Sequence, residues 1–313
     1  MPTLAVITTF PPNRWTTYAK RMIESHIKNW PDDVKLYVYY EKEKPNLVHE
    51  KIVYVDLEKE SPELVAFKQK YKDDPVANGE IKEIPGGVRR HPKAGDKDRN
   101  KGSFLWDAVR FSHKTFTVAH AIKNIDTDYV LWLDADTFTF RPITKEFVCG
   151  LLPNNKLVNY LGRVTYPECG WVCYNKKHEK IKLFIDEWTK LYNTGSIFKE
   201  LEWHDSYLFW QILQRVAPDA GVDIGKGAGV EGLHVFINSA IGDYIDHMKG
   251  KRKIKGKSSK SDLRYKKDQD YWKNVENYDP FGGVSFDPKQ VDEIVSKVTD
   301  EDRSVAQARP SEQ

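Results

Sequence analysis

The chain is poor in cysteine and has no long apolar run. Three cysteines among 313 residues are too few for a disulfide framework, and no two have the Cys-x-x-Cys spacing of a zinc site. The apolar run that ends at Leu133 has five residues, whereas a membrane-spanning helix needs about 20. The N-terminus lacks a basic region followed by a cleavable apolar stretch. We therefore expect no secretion signal and a cytoplasmic protein.

A strong excess of one charge is also missing from the chain as a whole. The 49 basic and 46 acidic residues leave a net charge of +3, and a hydrophobic content of 40% excludes a disordered chain. Positive charge is concentrated in residues 247–267, where ten Lys or Arg residues accompany one acid, Asp262. This concentration favours a polyanionic partner, and a solvated mobile loop is the simpler alternative.

Strand-like and helix-like segments alternate along the first half of the chain. Strands are predicted for residues 4–8, 35–40, 51–56 and 128–136. A helix is predicted for 15–30, between the first two strands. This order predicts an α/β fold with a mainly parallel, Rossmann-like sheet and helices on both faces. Asp56 ends the third strand, at the carboxyl edge where open α/β sheets bind ligands.

The sequence predicts one domain over residues 1–287 with irregular segments inside it. A long polar loop is expected at 72–102, a turn at 137–142 and a glycine-rich loop at 221–229. For residues 288–313 we predict a short helix followed by a tail. The tail is expected to be disordered because it is polar and has few apolar residues.

Asp134 and Asp136 directly follow the apolar strand. Two carboxylates at this spacing can reach one divalent cation, since the turn after the strand relaxes the alternation of side chains. Oxygen ligands suit Mg²⁺ or Mn²⁺ better than zinc. The alternative is a strand end with two solvated acids. Acids that adjoin a buried strand must face a cleft, a cation or water, which favours the metal site.

His247, Gly250 and Lys253 form a His-x-x-Gly-x-x-Lys motif in the basic segment. The imidazole can supply a third metal ligand, the glycine lets the backbone approach a phosphate, and the lysine can neutralise a diphosphate. The alternative interpretation is a basic surface loop with an incidental histidine.

Asp205 lies at a predicted helix start, next to His204. A carboxylate near a helix N-terminus stays ionised, which suits a base or a nucleophile. The alternative is that Asp205 simply caps the helix.

Taken in order, these motifs resemble the GT-A superfamily of nucleotide-sugar glycosyltransferases. The His247 motif is similar to the His-x-x-Gly-x-x-Lys element of the glycogenin and lipopolysaccharide galactosyltransferase family. The segment Trp-His-Asp-Ser-Tyr-Leu, from Trp203 to Leu208, resembles the Trp-His-Asp-Glu-Ser-His-Leu segment of the blood-group and α-1,3-galactosyltransferases but is one residue shorter. The resemblance spans residues 4–253.

The resemblance implies a donor site built on a metal ion. Asp134, Asp136 and His247 would bind Mn²⁺ or Mg²⁺, and Gly250 and Lys253 would contact the diphosphate of the donor, a UDP-sugar. In this fold the nucleotide base lies at the end of the first strand, and a basic pair on a helix contacts the nucleotide. With Asp56 from the sheet edge, the nucleotide-binding candidates are Thr8, Thr9, Phe10, Asp56, Arg110 and Lys114. For the pair Arg110 and Lys114, a solvated helix face is the alternative.

The resemblance also implies where catalysis occurs. Asp205 takes the place of the candidate nucleophile or of the acid before it, depending on the alignment, and His204 beside it is the second catalytic candidate. The segment 168–170 resembles the part that lines the sugar and acceptor sites. Members of both families retain the anomeric configuration of the sugar, so we predict retention.

We therefore predict a hexosyl- or pentosyltransferase that acts on a hydroxyl acceptor. The basic segments 89–101 and 249–267 suit DNA, in which a hydroxylated base would be the acceptor. A glycan or a lipid-linked saccharide at an anionic membrane surface explains the same charges. A non-catalytic nucleotide- or polyanion-binding protein is a further alternative. The residues assigned to an anionic acceptor are Lys255, Lys257, Lys260, Arg264, Lys266 and Lys267.

Overall fold

The protein is an α/β structure with a seven-stranded sheet at its centre. The computed structural model describes residues 2–79, 104–225, 234–250, 252–264 and 267–279. Its strands are β1 (Leu4–Thr9), β2 (Lys35–Tyr40), β3 (Ile52–Asp56), β4 (Tyr129–Leu133), β5 (Thr137–Thr139), β6 (Val158–Leu161), β7 (Glu168–Asn175), β8 (Gly221–Asp223) and β9 (Ile245–His247). The helices are α1 (Lys20–Asn29), α2 (Leu57–Glu60), α3 (Pro62–Lys70), α4 (Ala108–Asn124), α5 (Lys145–Gly150), α6 (Ile181–Asn193), α7 (Asp205–Val216), α8 (Val235–Asn238), α9 (Arg252–Lys255) and α10 (Asp270–Asn274).

The main sheet has the strand order β3-β2-β1-β4-β7-β6-β8. The pairs β1–β2, β2–β3, β1–β4 and β6–β8 are parallel, whereas β7 runs antiparallel to both β4 and β6. Every residue of β4 is buried, as its continuous apolar sequence predicts for a central strand. The predicted fold class, with a mainly parallel Rossmann-like sheet, is confirmed.

Helices cover both faces of the sheet because β1 and β4 send apolar side chains in both directions. On one face, Ala5 and Ile7 belong to a core that includes side chains of α3, α4, α6 and α7. On the other face, Leu4 and Val6 belong to a core with α1, α5 and α8. The two cores are therefore separated by the sheet, as expected for helices on both faces.

Three local predictions differ from the structure. Residues 137–142 do not form only a turn, because β5 starts at Thr137 and pairs antiparallel with β9. The segment expected as a glycine-rich loop at 221–229 begins with β8, which completes the edge of the sheet. Helix 15–30 is α-helical only in α1, and a π-helical turn, Trp15–Ala19, precedes it. Short segments such as these depend on tertiary pairing, which local pattern does not reveal.

Two predicted irregular regions lie largely or wholly outside the described residues. In the polar loop 72–102, residues 72–79 form turns, and residues 80–102 lie outside the described part of the chain. The tail predicted at 288–313 also lies outside it. Across the described residues, no helix combines the length and the apolar character that crossing a bilayer requires.

The segment 267–279 packs onto the domain through Trp272. This side chain is fully buried, its indole Nε1 donates to the carbonyl of Gly242 at 2.8 Å, and its ring meets that of Phe140 edge-on at 5.6 Å. The segment therefore contributes to the core next to β5.

We predict that Trp272→Ala lowers the free energy of unfolding by about 3–5 kcal/mol, the usual cost of emptying a large buried site. Urea denaturation monitored by circular dichroism measures this change. Lys273→Ala is the matched control, since Lys273 is exposed on the same helix and its truncation leaves the core intact. Equal stability of the two variants would show that the segment is not part of the folding unit.

Candidate metal and donor site

Asp134, Asp136 and His247 lie together at the carboxyl end of β4. Pairing of β5 with β9 places His247 opposite Thr137, and the amide of Met248 donates to the carbonyl of Asp136 at 2.8 Å. The potential ligand atoms of the three side chains all lie within 4.8 Å of one another. His247 Nε2 is 3.2 Å from Asp136 Oδ1 and 3.8 Å from Asp134 Oδ2. The sequence prediction of these three residues as one cluster agrees with this geometry.

The two carboxylates of the cluster have different electrostatic surroundings. Burial favours the neutral acid at Asp136, but Lys253 and His247 outweigh burial and hold its pKa well below the usual range. At Asp134, burial dominates and the neighbouring Asp136 adds to it, so the pKa is raised despite the nearby Lys114. Asp136 is therefore the carboxylate that is most firmly ionised.

The surroundings of the cluster fit a divalent cation. His247 is 1% exposed, and its Nδ1 has no hydrogen-bond partner among the described residues. A Cβ added to Gly170 would come within 2.8 Å of His247 Cε1 and 3.3 Å of Asp134 Oδ2, so glycine leaves the space that the ligands occupy. Two carboxylates and one imidazole match the preference of Mg²⁺ and Mn²⁺ for hard oxygen and nitrogen donors.

Lys253 also contacts this cluster. Its ammonium group lies 3.0 Å from Asp136 Oδ2, and its side chain is 14% exposed. The loop before α9 turns at Gly250, where φ is +64°, a conformation that residues other than glycine rarely adopt. The carbonyl of Gly250 accepts a hydrogen bond from the amide of Lys253 at 3.0 Å. His247 and Lys253, on the two sides of the turn at Gly250, therefore contact the same carboxylate, that of Asp136.

Lys114 connects the metal cluster to Asp205. Its ammonium group donates to Asp205 Oδ2 at 2.6 Å and to the carbonyl of Cys169 at 2.6 Å, and it lies 3.5 Å from Asp134 Oδ1. Burial alone would lower its pKa, but the two carboxylates outweigh burial and raise it. Arg110, one helical turn earlier on α4, is exposed. The two residues of the expected basic pair thus lie in different surroundings. Lys114 extends toward the sheet and forms a buried ion pair, whereas Arg110 lies at the surface.

Helix α7 begins with a different cap from the one considered in the sequence. His204 is the N-cap, and its Nδ1 accepts from the amide of Tyr207 at 3.4 Å, while its Nε2 contacts Glu202 at 2.6 Å. Asp205 is therefore not the capping residue. With both ring nitrogens engaged, His204 has a geometry suited to holding the helix start, and Asp205 faces Lys114 instead.

Asp205 is a partly buried and ionised carboxylate. Burial would raise its pKa, but the ammonium group of Lys114 reverses this effect and lowers it. Its second oxygen, Oδ1, accepts from the amide of Ser206 at 2.9 Å. The side chain retains 16% exposure. It is an anion that is held in place and still reachable from the site.

The nucleotide-base candidates lie at the end of β1. Thr8 is buried, and its Oγ1 has no hydrogen-bond partner among the described residues. Thr9 donates its hydroxyl to the carbonyl of Tyr39 at 2.7 Å, and the buried ring of Phe10 stacks on Trp15 at 6.2 Å.

Asp56 ends the edge strand β3, as expected, but there it caps α2 by accepting from the amide of Lys59 at 3.1 Å. Asp56 thus has a structural role as the N-cap of α2, which its position at the end of a strand did not indicate.

Glu168 is a charged residue of the site that the sequence reading placed only in a lining segment. It is 6% exposed, and its Oε2 lies 2.7 Å from Lys249 Nζ and 3.3 Å from the guanidinium of Arg163. These cations outweigh burial and hold its pKa well below the usual range. Its place at the start of β7, two residues before Gly170, was the sequence signal that could have indicated a role in the site. Its two cationic partners could not be predicted, because they come from separate loops.

Several cations of the basic segment are used within the protein. Lys249 pairs with Glu168, Arg252 pairs with Asp262 at 2.6 Å, and Lys257 donates to two backbone carbonyls at 2.7 Å. Lys257 therefore does not fit the group assigned to an acceptor. Lys255 is exposed on α9, and Lys266 lies outside the described residues. Part of the positive charge of this segment is thus used within the protein, in ion pairs with the distant Glu168 and with Asp262 of the same segment.

No protein-family model and no curated protein sequence matches the chain. Solved structures that are similar to it include mouse xyloside xylosyltransferase 1, with 10% identity, a TM-score of 0.39, and coverage of 71% of this chain and 84% of that one. The bifunctional glycosyltransferase WbbM matches with 12% identity, a TM-score of 0.43, and coverage of 95% and 52%. GlyE of Streptococcus pneumoniae TIGR4 matches with 13% identity, a TM-score of 0.37, and coverage of 72% and 46%.

All three proteins are glycosyltransferases by name. The chain spans about half the length of WbbM and of GlyE. At TM-scores below 0.5, these similarities carry no conclusion about this chain. Activity has to be inferred from the residues of the site.

We predict that Gly170→Ala weakens Mn²⁺ binding by about tenfold or more, in the range found when the surroundings of metal ligands are disturbed. The new methyl group would displace His247 or Asp134. Titration of the free Mn²⁺ signal by electron paramagnetic resonance measures the affinity. Gly150→Ala is the control, because nothing lies within 4 Å of a Cβ at that position. Unchanged binding in Gly170→Ala would contradict the proposed ligand set.

Proposed function

We propose that the protein is a metal-dependent glycosyltransferase that uses a nucleotide-sugar donor. The observation that carries this proposal is the cluster of Asp134, Asp136 and His247 with Lys253 beside it. A divalent cation at these ligands and one lysine supply the charge that a leaving diphosphate needs. A strand end with merely solvated acids would not require a buried histidine and an uncrowded glycine at the same point.

Different residues of the site act on the two ends of the bond that breaks, the diphosphate and the anomeric carbon. When bound, the cation acts as a Lewis acid on the diphosphate. Lys253 adds a positive charge on the same side, and its low exposure strengthens that charge by excluding water. Asp205, held by Lys114, supplies negative charge where the anomeric carbon becomes positive.

The environment of Asp205 bears on its role. A carboxylate whose pKa is lowered by a bonded ammonium group is a weak general base. The same ion pair keeps it anionic, which suits stabilisation of an oxocarbenium-like centre or a transient covalent bond. We therefore favour retention of the anomeric configuration, with Asp205 as nucleophile or electrostatic partner. In this proposal His204 is a positioning residue for α7.

We further propose a UDP-sugar donor, on the resemblance of the His247 motif, and an acceptor that offers a hydroxyl group. Thr8, Thr9 and Phe10 are the candidates for contact with the base. Transfer to a hydroxylated base in DNA or to a glycan is distinguished by experiment. A panel of nucleotide-sugars is incubated with Mn²⁺ and candidate acceptors, including hydroxymethylated DNA, and each acceptor is weighed by mass spectrometry. A protein that neither transfers nor hydrolyses any donor would be a binding protein instead.

We predict that Asp136→Asn reduces metal-dependent donor hydrolysis and transfer by at least about tenfold, because it removes an ionised ligand. The fold should persist, since the residue follows β4 rather than filling it. Product formation is measured with and without EDTA. Asp268→Asn, at an exposed position, is the charge-matched control. Full activity of the wild type in EDTA would rule out the metal-dependent reaction.

We predict that Asp205→Asn lowers the rate of transfer by about 100-fold or more while leaving Mn²⁺ affinity within a few-fold of wild type, the scale found when one electrostatic group of a site is removed. The anomeric proton of the product, observed by NMR, should show the configuration of the donor. An inverted product would reassign Asp205 to the role of general base.

A further inference from the structure

Lys253 and a metal ion need the same carboxylate. Asp136 Oδ2 lies 3.0 Å from the ammonium group of Lys253, and Asp136 Oδ1 lies 3.2 Å from His247 Nε2. Both oxygens of this ligand therefore have protein partners already. The carboxylate is 12% exposed, so little water is available to replace a partner that leaves.

A cation that binds at Asp136 competes with the lysine. An ammonium group and a divalent ion repel each other, and this repulsion is strong in a site that is screened poorly by water. The repulsion favours departure of the ammonium group from Asp136 Oδ2 when the cation enters. Loss of the ion pair with Asp136 is a cost that opposes metal binding unless another anion replaces the carboxylate.

The position of Lys253 allows such a change of partner. The residue lies in the short helix α9, directly after the turn at Gly250, and its ammonium group also lies 5.8 Å from the ring centroid of Tyr18. A long lysine side chain can redirect its ammonium group by rotamer changes without movement of the backbone. A diphosphate beside the metal would offer it a second anion close by.

We propose that Lys253 occupies Asp136 when no cation is bound and passes to the donor diphosphate when the metal-nucleotide complex enters. The exchange makes metal and nucleotide bind cooperatively, since the diphosphate compensates the ammonium group that the metal displaces. This inference rests on the proposed function, because it takes the anion to be the diphosphate of a nucleotide-sugar. It goes further by giving one lysine two alternating partners.

The first test is the affinity for Mn²⁺ alone, measured by electron paramagnetic resonance at pH 7.5 without nucleotide. Lys253→Met keeps the length of the side chain and removes the competing charge. It should bind Mn²⁺ about fivefold more tightly than wild type, equivalent to roughly 1 kcal/mol. A lysine that only serves the diphosphate would leave this affinity unchanged.

Lys255→Met is the matched control, because Lys255 lies on the same short helix but is exposed. Its Mn²⁺ affinity should equal that of the wild type, which separates competition at Asp136 from the general loss of a positive charge. Equal or weaker binding by Lys253→Met would overturn the inference while leaving the transferase proposal intact. A wild type that binds no Mn²⁺ would overturn both.

A second test needs no variant and so does not depend on folding of a mutant. Lysines of the wild type are acetylated with limiting acetic anhydride, with and without Mg²⁺, and modification is located by mass spectrometry. In the presence of Mg²⁺ alone, the ammonium group of Lys253 should be released from Asp136, and Lys253 should be acetylated faster relative to Lys255, the internal standard. Added UDP should then slow it, since the ammonium group acquires the diphosphate. Modification that Mg²⁺ slows or leaves unchanged would contradict the exchange.

Discussion

The placement of several carboxylates beside one another in buried or partly buried positions is the constraint around which the site is built. Asp134, Asp136 and Glu168 lie at the adjoining ends of β4 and β7, and Asp205 is linked to them through Lys114. Uncompensated charges in such a position would be costly. Ion pairs with lysines from separate segments reduce this cost. In our proposal a divalent cation compensates the remaining negative charge, and the same cation takes part in the reaction.

The small β5–β9 ribbon brings His247 close to Asp136, although the two residues are far apart in the sequence. His247 is more than 100 residues from Asp136, and an isolated histidine in a basic loop would have many conformations. Backbone pairing with β5 fixes it next to the carboxylates, and the segment 267–279 packs against Phe138 of β5 through Tyr271 and Tyr278. The site therefore depends on segments that follow the main sheet, and truncation before them would remove a support of the metal cluster.

Much of the fold was accessible from local pattern. The apolar run of β4 predicted a central buried strand, and alternation of strands with helices predicted the parallel sheet, because both periodicities are set by the burial of side chains. Short elements such as β5 and β8 were not predicted, since two or three residues carry too little local signal. In the site, the spacing of Asp134 and Asp136 and the His247 motif predicted three residues that the structure also brings together. Capping of α7 by Asp205 was the alternative to a catalytic role, because Asp is a residue type usually found at that position, but the structure uses its neighbour His204 as the cap.

The sequence by itself determined the α/β class, the residue types suited to a divalent cation and the concentration of positive charge. Only the tertiary structure decided how those charges are used. It placed Lys114 between Asp134 and Asp205 and gave Glu168 its partner Lys249, which lies 81 residues away. The physical reason is that an ion pair depends on distance in space and on exclusion of water, and neither is written in the spacing of residues along the chain.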